Sequence, residues 1–286
     1  MDDVLARFEA FSGTFGALDA ISLVFLVAIL IEAAIDIVSG KRRKGETFAN
    51  FAIEIGNALL DRTIFGIAFI VGLLVVESFV SWTLPITWWS WLLALIAADL
   101  TYYWMHRFEH EVRLLWAYHS VHHSSPEYNL TTSMRLSWVE GLFEWIFFIP
   151  MIMVGFDAIQ IIAAISIVVI YQTWIHTERV GKLGWLDGVF NTPSAHRVHH
   201  GKNENYIDKN YGGVLMLWDR LFGTYQAEEE PVAYGVLKPV NSVNPIAINF
   251  SEFWSIIKDV WGSRSLAQAW RYVFGRPGWR PRPAEG

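Results

Sequence analysis

Histidines are the residues whose number and spacing point most directly to chemistry. The nine histidines fall into four clusters, which are His106 and His110; His119, His122 and His123; His176; and His196, His199 and His200. Residues at positions i, i+3 and i+4 of a helix share one face, so a cluster can direct several imidazoles towards one point. Ordinary core or surface histidines would explain one cluster, but not nine residues in repeated motifs. The spacing therefore predicts a metal site.

The number of imidazoles predicts two metal ions, because a tetrahedral zinc site uses only four ligands. Imidazole ligands alone are compatible with zinc, copper, iron or nickel. The chain has no cysteine, which excludes thiolate zinc sites, iron–sulfur clusters and disulfides. A zinc-protease motif is excluded as well, because the His110-Glu111 pair lacks a second histidine at the required position.

The composition predicts that these histidines belong to a membrane protein. Hydrophobic residues make up 53% of the 286 residues and charged residues only 17%, against about 25% in an average soluble domain. A net charge of −6 argues against a nucleic-acid partner. Residues 63–106 and 136–178 contain no Lys or Arg, and each stretch is long enough for two spans of roughly 20 residues. We therefore expect an all-α, multi-pass protein with about five spans, namely Leu18–Val38, the hairpin Ile64–Val80 with Trp88–Tyr103, and the hairpin Trp138–Val154 with Ala158–Ile175.

The basic block Lys41–Lys44 ends the first span and predicts a cytoplasmic location at that point. Residues 45–62 contain Glu54, Asp61 and Arg62 and are interpreted as an interfacial or re-entrant helix. Each hairpin returns the chain to its starting side, so residues 104–137 and 176–286 are predicted to form a cytoplasmic, histidine-rich helical cap. An alternative is that the first apolar segment lies on the membrane without crossing it. An all-nitrogen site for two metals beside a bilayer suits iron that handles dioxygen.

The remaining organisation is predicted as three regions: 1–98, with the first membrane segments; 99–230, with the catalytic residues and the second hairpin; and 231–286. In the last region, aromatic and aliphatic residues recur at helical spacing over Ser251–Phe274. That pattern predicts an interfacial amphipathic helix, with packing on the cytoplasmic cap as the alternative. The proline-rich tail Arg276–Gly286 is predicted to be disordered.

Three polar residues are candidates to support the metal ligands. Asp99 lies seven residues before His106, on the same helical face, and would accept a hydrogen bond from a ligand imidazole. A salt bridge or an interfacial position is the alternative for this carboxylate. Asn205 and Asp208 follow the last histidine cluster and would anchor ligands or simply form turns.

The motifs His106–His110, His119–His123 and His196–His200 resemble those of the fatty acid hydroxylase/sterol desaturase superfamily of membrane diiron oxygenases. The likeness covers about Asp99 to Tyr225. Its alkylglycerol monooxygenase-like members are especially similar, through Trp174–Glu178 and Trp218–Thr224. The resemblance implies two iron ions, held by all nine histidines, that use O₂ to hydroxylate a C–H of an ether or acyl chain. A sterol or lipid desaturase with the same site is the alternative.

The same resemblance implies a lipid substrate that enters from the bilayer. The sequence shows no flavin, haem or iron–sulfur motif, so electrons must come from a reduced pterin or from a separate reductase or cytochrome chain. A bacterial inner membrane is the favoured location, with the endoplasmic reticulum as the alternative. A metal-handling membrane protein without redox chemistry is a remote alternative, because a transporter needs ionisable residues along a path through its spans.

Overall fold

The computed structural model describes residues 2–40 and 45–281, and the predicted all-α class is confirmed for them. Isolated bridges pair Phe190 with Leu215 and Gly201 with Tyr234, but no β-strand forms in these ranges. The predicted cytoplasmic block Lys41–Lys44 lies outside the described residues. The helices are α1 (Asp2–Ala10), α2 (Ser12–Ser39), α3 (Glu46–Leu60), α4 (Gly66–Glu77), α5 (Trp88–Glu111), α6 (Arg113–His123), α7 (Gly141–Glu144), α8 (Ile149–Val154), α9 (Ala158–Tyr171), α10 (Pro193–His199), α11 (Leu217–Phe222), α12 (Pro245–Trp261) and α13 (Leu266–Phe274).

Two helical segments are long and apolar enough to cross a membrane. They are Ser12–Ser39, with 28 residues, and Glu46–Glu77, with 32 residues. Only 22% and 11% of their apolar windows are buried inside the protein, so most of these side chains face outward. A soluble protein buries its most apolar helices, and such an exposed surface indicates a membrane protein. The apolar helices Gly141–Val154 and Ala158–Tyr171 are shorter, and the number of five spans stays a prediction.

The structure corrects the interpretation of residues 45–62 as a separate interfacial element. Helix α3 continues through one π-helical turn, Asp61–Phe65, directly into α4. Of the three residues that suggested an interface, Arg62 is exposed and pairs with Glu54 at 2.7 Å. The third, Asp61, belongs to a buried polar stripe on α3 and the π turn. Within it, Asn50 donates to Thr131 (2.8 Å), Asn57 donates to the Ser137 carbonyl (2.6 Å), and Asp61 accepts from the Gly141 amide (2.9 Å).

The core that supports the site is formed mainly by α5 and α9, which pack side by side. Small residues at the contact, including Ala94, Ala98 and Ala164, are fully buried and permit close approach of the two helices. Thr87 caps the start of α5 through a reciprocal hydrogen-bonded pair with Ser90, and Asp157 caps α9. This packing sets the position of the C-terminal end of α5, which carries His106 and His110.

The C-terminal region also differs from the prediction. The expected single helix over Ser251–Phe274 is two helices, α12 and α13. Helix α12 ends at Trp261, and Ser265 caps the start of α13. The tail is not disordered where it is described. Trp279 packs against Tyr272, with ring centroids 5.3 Å apart, and Arg280 pairs with Asp259 at 2.6 Å. Residues 282–286 lie outside the described part of the chain.

Candidate metal centre

The nine histidines converge in two groups, each of which could hold a metal ion. In each group the candidate ligand nitrogens lie within 4.8 Å of one another. One group has five members, which are His106, His110, His119, His123 and His199. The other has four members, which are His122, His176, His196 and His200. The predicted clustering is therefore present in three dimensions, and the two groups adjoin where the His123 and His200 rings stack at 4.3 Å.

Hydrogen bonds to Nδ1 define which nitrogen of an imidazole faces the centre. His106 Nδ1 lies 2.9 Å from the Tyr211 carbonyl oxygen, and His119 Nδ1 lies 3.1 Å from the Glu109 carboxylate. A carbonyl and an ionised carboxylate only accept, so with Glu109 ionised each Nδ1 carries the proton and each Nε2 presents a lone pair. Those two Nε2 atoms are only 3.0 Å apart. Two lone pairs at that distance repel unless a cation lies between them, which is the arrangement that a metal ion requires.

Other imidazoles of the two groups follow the same pattern. His199 Nδ1 lies 3.0 Å from the Lys209 carbonyl, and His176 Nδ1 lies 2.7 Å from the Gln172 carbonyl. Among the described residues, the buried Nε2 atoms of His110, His199 and His200 have no hydrogen-bond partner. Buried polar atoms without partners are costly, whereas Nε2 atoms directed at a metal are satisfied. The donor set therefore fits metal ions.

Burial keeps these imidazoles neutral. It lowers the pKa of His106 and of His176 to about 4. For His119 and His123, burial is again the main cause, and neighbouring imidazoles lower the pKa further. A metal binds the neutral imidazole, so the surroundings hold the ligands in the form that coordination needs near neutral pH.

Glu109 is a supporting residue that the sequence interpretation missed. Its carboxylate is buried between His119 Nδ1 (3.1 Å) and the Tyr118 hydroxyl, which donates to it at 2.9 Å. Burial raises the pKa of Glu109 to about 7, and the hydroxyl donor opposes that shift. Glu109 thus has the role expected of Asp99, holding a ligand imidazole in one tautomer and orientation. Its place inside the His106–His110 motif was the available signal.

Asp99 does not contact an imidazole, which corrects that prediction. Its carboxylate accepts hydrogen bonds from the amides of Val214 (2.7 Å) and Leu215 (3.1 Å) and from the Trp218 indole (2.8 Å). The side chain lies too far towards the start of α5 to reach the histidines, and it binds the loop beside α11 instead. That loop includes Tyr211, whose carbonyl orients His106, so Asp99 acts on the ligand only through the backbone.

The polar loop after the last histidine cluster lies beside the histidines, as predicted, but it contacts them through backbone carbonyls. Asn205 is exposed, so it does not support the buried ligands in the predicted way. Asp208 lies 3.8 Å from His110 Nδ1 with its side chain about half exposed. The buried acceptors are the carbonyls of Lys209 and Tyr211, on either side of Asn210. Asn210 adopts φ of 59° and is held by the carbonyls of Ala195 and Gln226.

Comparison with known proteins agrees with this geometry. The fatty acid hydroxylase family model matches residues 91–224, which include all nine histidines. The chain is 42% identical to alkylglycerol monooxygenases of Homo sapiens over 200 residues and of Xenopus tropicalis over 202 residues, covering 70% of this chain in both cases. It is 30% identical over 140 residues to an ornithine lipid hydroxylase of Rhizobium tropici, covering 49% of this chain and 42% of that protein. The chain spans about 44% of the length of the two alkylglycerol monooxygenases. No solved structure matches.

The two histidine groups predict separable metal sites. His110→Ala removes a ligand from the five-histidine group, and His176→Ala removes one from the four-histidine group. We expect two ions per unaltered chain and about one in each variant, measured by elemental mass spectrometry after saturation. Zinc counts equally with iron in this measurement, because both bind imidazole. A saturated unaltered chain with a single ion would contradict the two-group arrangement, and far-ultraviolet circular dichroism checks that each variant is folded.

The contact between Glu109 and His119 predicts a selective loss of metal affinity. In Glu109→Gln, the charged acceptor becomes a neutral amide of the same size. We expect a loss of metal affinity of roughly 10–100-fold, the range for residues that orient ligands. Glu229→Gln, on the surface, is the matched control, and chelator competition is the measurement. Equal affinities in the two variants would show that Glu109 does not orient the ligand.

Proposed function

Because residues 91–224 match the fatty acid hydroxylase domain model, we propose that the chain is an O₂-dependent lipid hydroxylase. Its proposed substrate is an ether or acyl chain that enters from the bilayer. The observation that carries the proposal is the convergence of all nine histidines, as two neutral all-nitrogen groups, inside that domain. A buried site without charged ligands suits metals that handle dioxygen, and the apolar helices beside it suit a lipid.

The proposed cofactor is a pair of iron ions, one in each histidine group. Bound iron would supply O₂ activation and the oxidation of an unactivated C–H bond. The described residues would hold the ions, keep their own ligand nitrogens deprotonated and exclude bulk water. His106, His123, His196 and His200 are nearly fully buried, which supports a dry site. The proposed electron donor is external, either a reduced pterin or a separate reductase or cytochrome chain.

The proposed location is a membrane, with the histidine-rich cap on the cytoplasmic face and a bacterial inner membrane as the favoured site. An exposed apolar stripe on α12 and α13 supports contact of the cap with the bilayer surface. Trp261 and Leu266 are about nine-tenths exposed, and Trp270 is two-thirds exposed. Tryptophan is enriched at membrane interfaces. We propose that this stripe lies on the bilayer, while the opposite faces of α12 and α13 pack on α6.

Desaturation is the alternative outcome, because both reactions begin with removal of one hydrogen atom from the chain. The relatives favour hydroxylation. Proteins named alkylglycerol monooxygenase match over 70% of this chain at 42% identity, whereas a Gibberella zeae protein named sterol desaturase matches over 49% at 26% identity. Hydroxylation retains an oxygen atom in the product, and desaturation does not.

Labelled oxygen distinguishes the two outcomes. Membranes containing the protein would be incubated under ¹⁸O₂ with alkylglycerol, acyl lipid and sterol, and with reduced pterin or a reductase supplied. We expect ¹⁸O in a hydroxylated chain or in the aldehyde derived from it, detected by mass spectrometry. The His199→Ala protein is the control, because it lacks a candidate ligand. A product with a new double bond and no label would favour the desaturase.

Reporter fusions test the proposed orientation. Fusions after Arg113 and after Gly286 should both report the cytoplasm, because the histidine clusters on each side of residues 136–178 build one centre. A fusion after Thr83, in the connection between α4 and α5, should report the opposite side. Alkaline phosphatase and green fluorescent protein fusions provide complementary signals. A shared location of all three reporters would contradict a spanning α3–α4 helix.

A further inference from the structure

A cavity of about 460 Å³ opens directly beside the metal centre. Four candidate ligands line it: His110, His123, His199 and His200. Its other walls come from α6, α12, residues 201–208 and 235–240, and the tail after α13. Sites for small molecules usually enclose about 300–1,000 Å³. The volume suits a polar headgroup with a few attached atoms, but not an entire membrane lipid.

The rim of this cavity carries an excess of positive charge. Buried Arg113 is neutralised internally, because its guanidinium contacts Glu252 at 2.8 Å and Asp259 at 2.7 Å. Arg280 also pairs with Asp259, at 2.6 Å. The cations that remain on the rim are Lys202, Lys238 and Arg276, and the acid that remains is Asp208. Arg276 lies 3.6 Å from Glu111 and is mostly exposed, so that contact is weak.

Bound metal ions would add to this positive charge. Every member of the two groups is an imidazole, and a neutral imidazole cancels none of the charge of a bound divalent ion. The imidazoles that line the cavity belong to His110, His123, His199 and His200. They carry no negative charge, so they would not reduce the positive charge that bound ions present to the cavity. An anionic group in the cavity would therefore be attracted both by the cations of the rim and by metal ions bound to the histidine groups.

We infer that this cavity binds the phosphate-bearing headgroup of the lipid substrate, with Lys202, Lys238 and Arg276 as its recognition residues. The inference rests on the proposed lipid hydroxylase function and adds the charge of the substrate to it. The apolar side chains that also line the cavity, Trp116, Ile207 and Leu237, would contact the first carbons of the chain. The headgroup would then lie beside the ligands while the rest of the chain remains outside the cavity.

Binding of matched lipids to the purified full chain tests this inference. The probes are radiolabelled 1-O-alkylglycerol-3-phosphate and 1-O-alkylglycerol with the same alkyl chain, in the same detergent. We expect the phosphate lipid to bind about tenfold more tightly, because charge-assisted contacts distinguish the two headgroups. The Lys202→Gln/Lys238→Gln protein keeps Arg276, so it should lose most of that preference. It should bind the neutral lipid unchanged, which also shows that it is folded. Lys182→Gln, at an exposed position outside the cavity lining, is the control.

Inorganic phosphate separates a lipid headgroup from a free anion. We expect it to compete with the phosphate lipid only at far higher concentration, because it lacks the chain contacts. Inorganic phosphate that bound as tightly as the lipid would overturn the assignment to a lipid headgroup. An unchanged preference in the double lysine variant would overturn the cavity as the recognition site. Phosphate-selective binding without ¹⁸O incorporation into either lipid would support the cavity and contradict the proposed hydroxylase function, so the two failures are distinguishable.

Discussion

The constraint on which the rest of this structure depends is the burial of many imidazole lone pairs around two points. A buried polar atom without a partner costs on the order of 1–3 kcal/mol, and several Nε2 atoms here face only one another. Metal ions remove that cost. The protein must also hold the rings in place, and it does so through acceptors for the Nδ1 protons of four imidazoles: His106, His119, His176 and His199. The surrounding polypeptide is best understood as a set of such acceptors, each held by its own contacts.

Most of these acceptors are backbone carbonyls, and this explains why polar residues far from the metals are buried. The carbonyls of Lys209 and Tyr211 reach His199 and His106 only because the intervening loop is fixed. Asp219 accepts from the amides of Tyr211 (2.7 Å) and Gly212 (2.8 Å), and Asp99 accepts from the following amides. Neither carboxylate contacts an imidazole, yet both determine where the ligand acceptors lie.

The sequence predicts well which histidines converge, and their division between two groups less well. Pairs at i and i+4, such as His106 with His110, His119 with His123 and His196 with His200, each share a group. His122 and His199 lie one position from a pair member and face the other group. Backbone acceptors leave no signature in residue types, so the roles of Lys209 and Tyr211 could not be predicted. Glu109 was predictable in principle, because a carboxylate within a ligand motif lies beside the imidazoles.

Acidic residues within the apolar helices have their explanation in the same architecture. Glu32 of α2 accepts from the Leu130 amide (2.6 Å), the Thr177 hydroxyl (2.9 Å) and Arg179 (2.8 Å). Glu46 of α3 pairs with buried Arg135, which also donates to the Val121 carbonyl beside His122. Removing one partner of a buried ion pair typically costs about 3–5 kcal/mol. These acids therefore attach the apolar helices α2 and α3 to segments that flank His122 and His176. No chain of ionisable groups along a transport path is needed to account for them. The apolar helices and the metal centre consequently depend on each other for their positions.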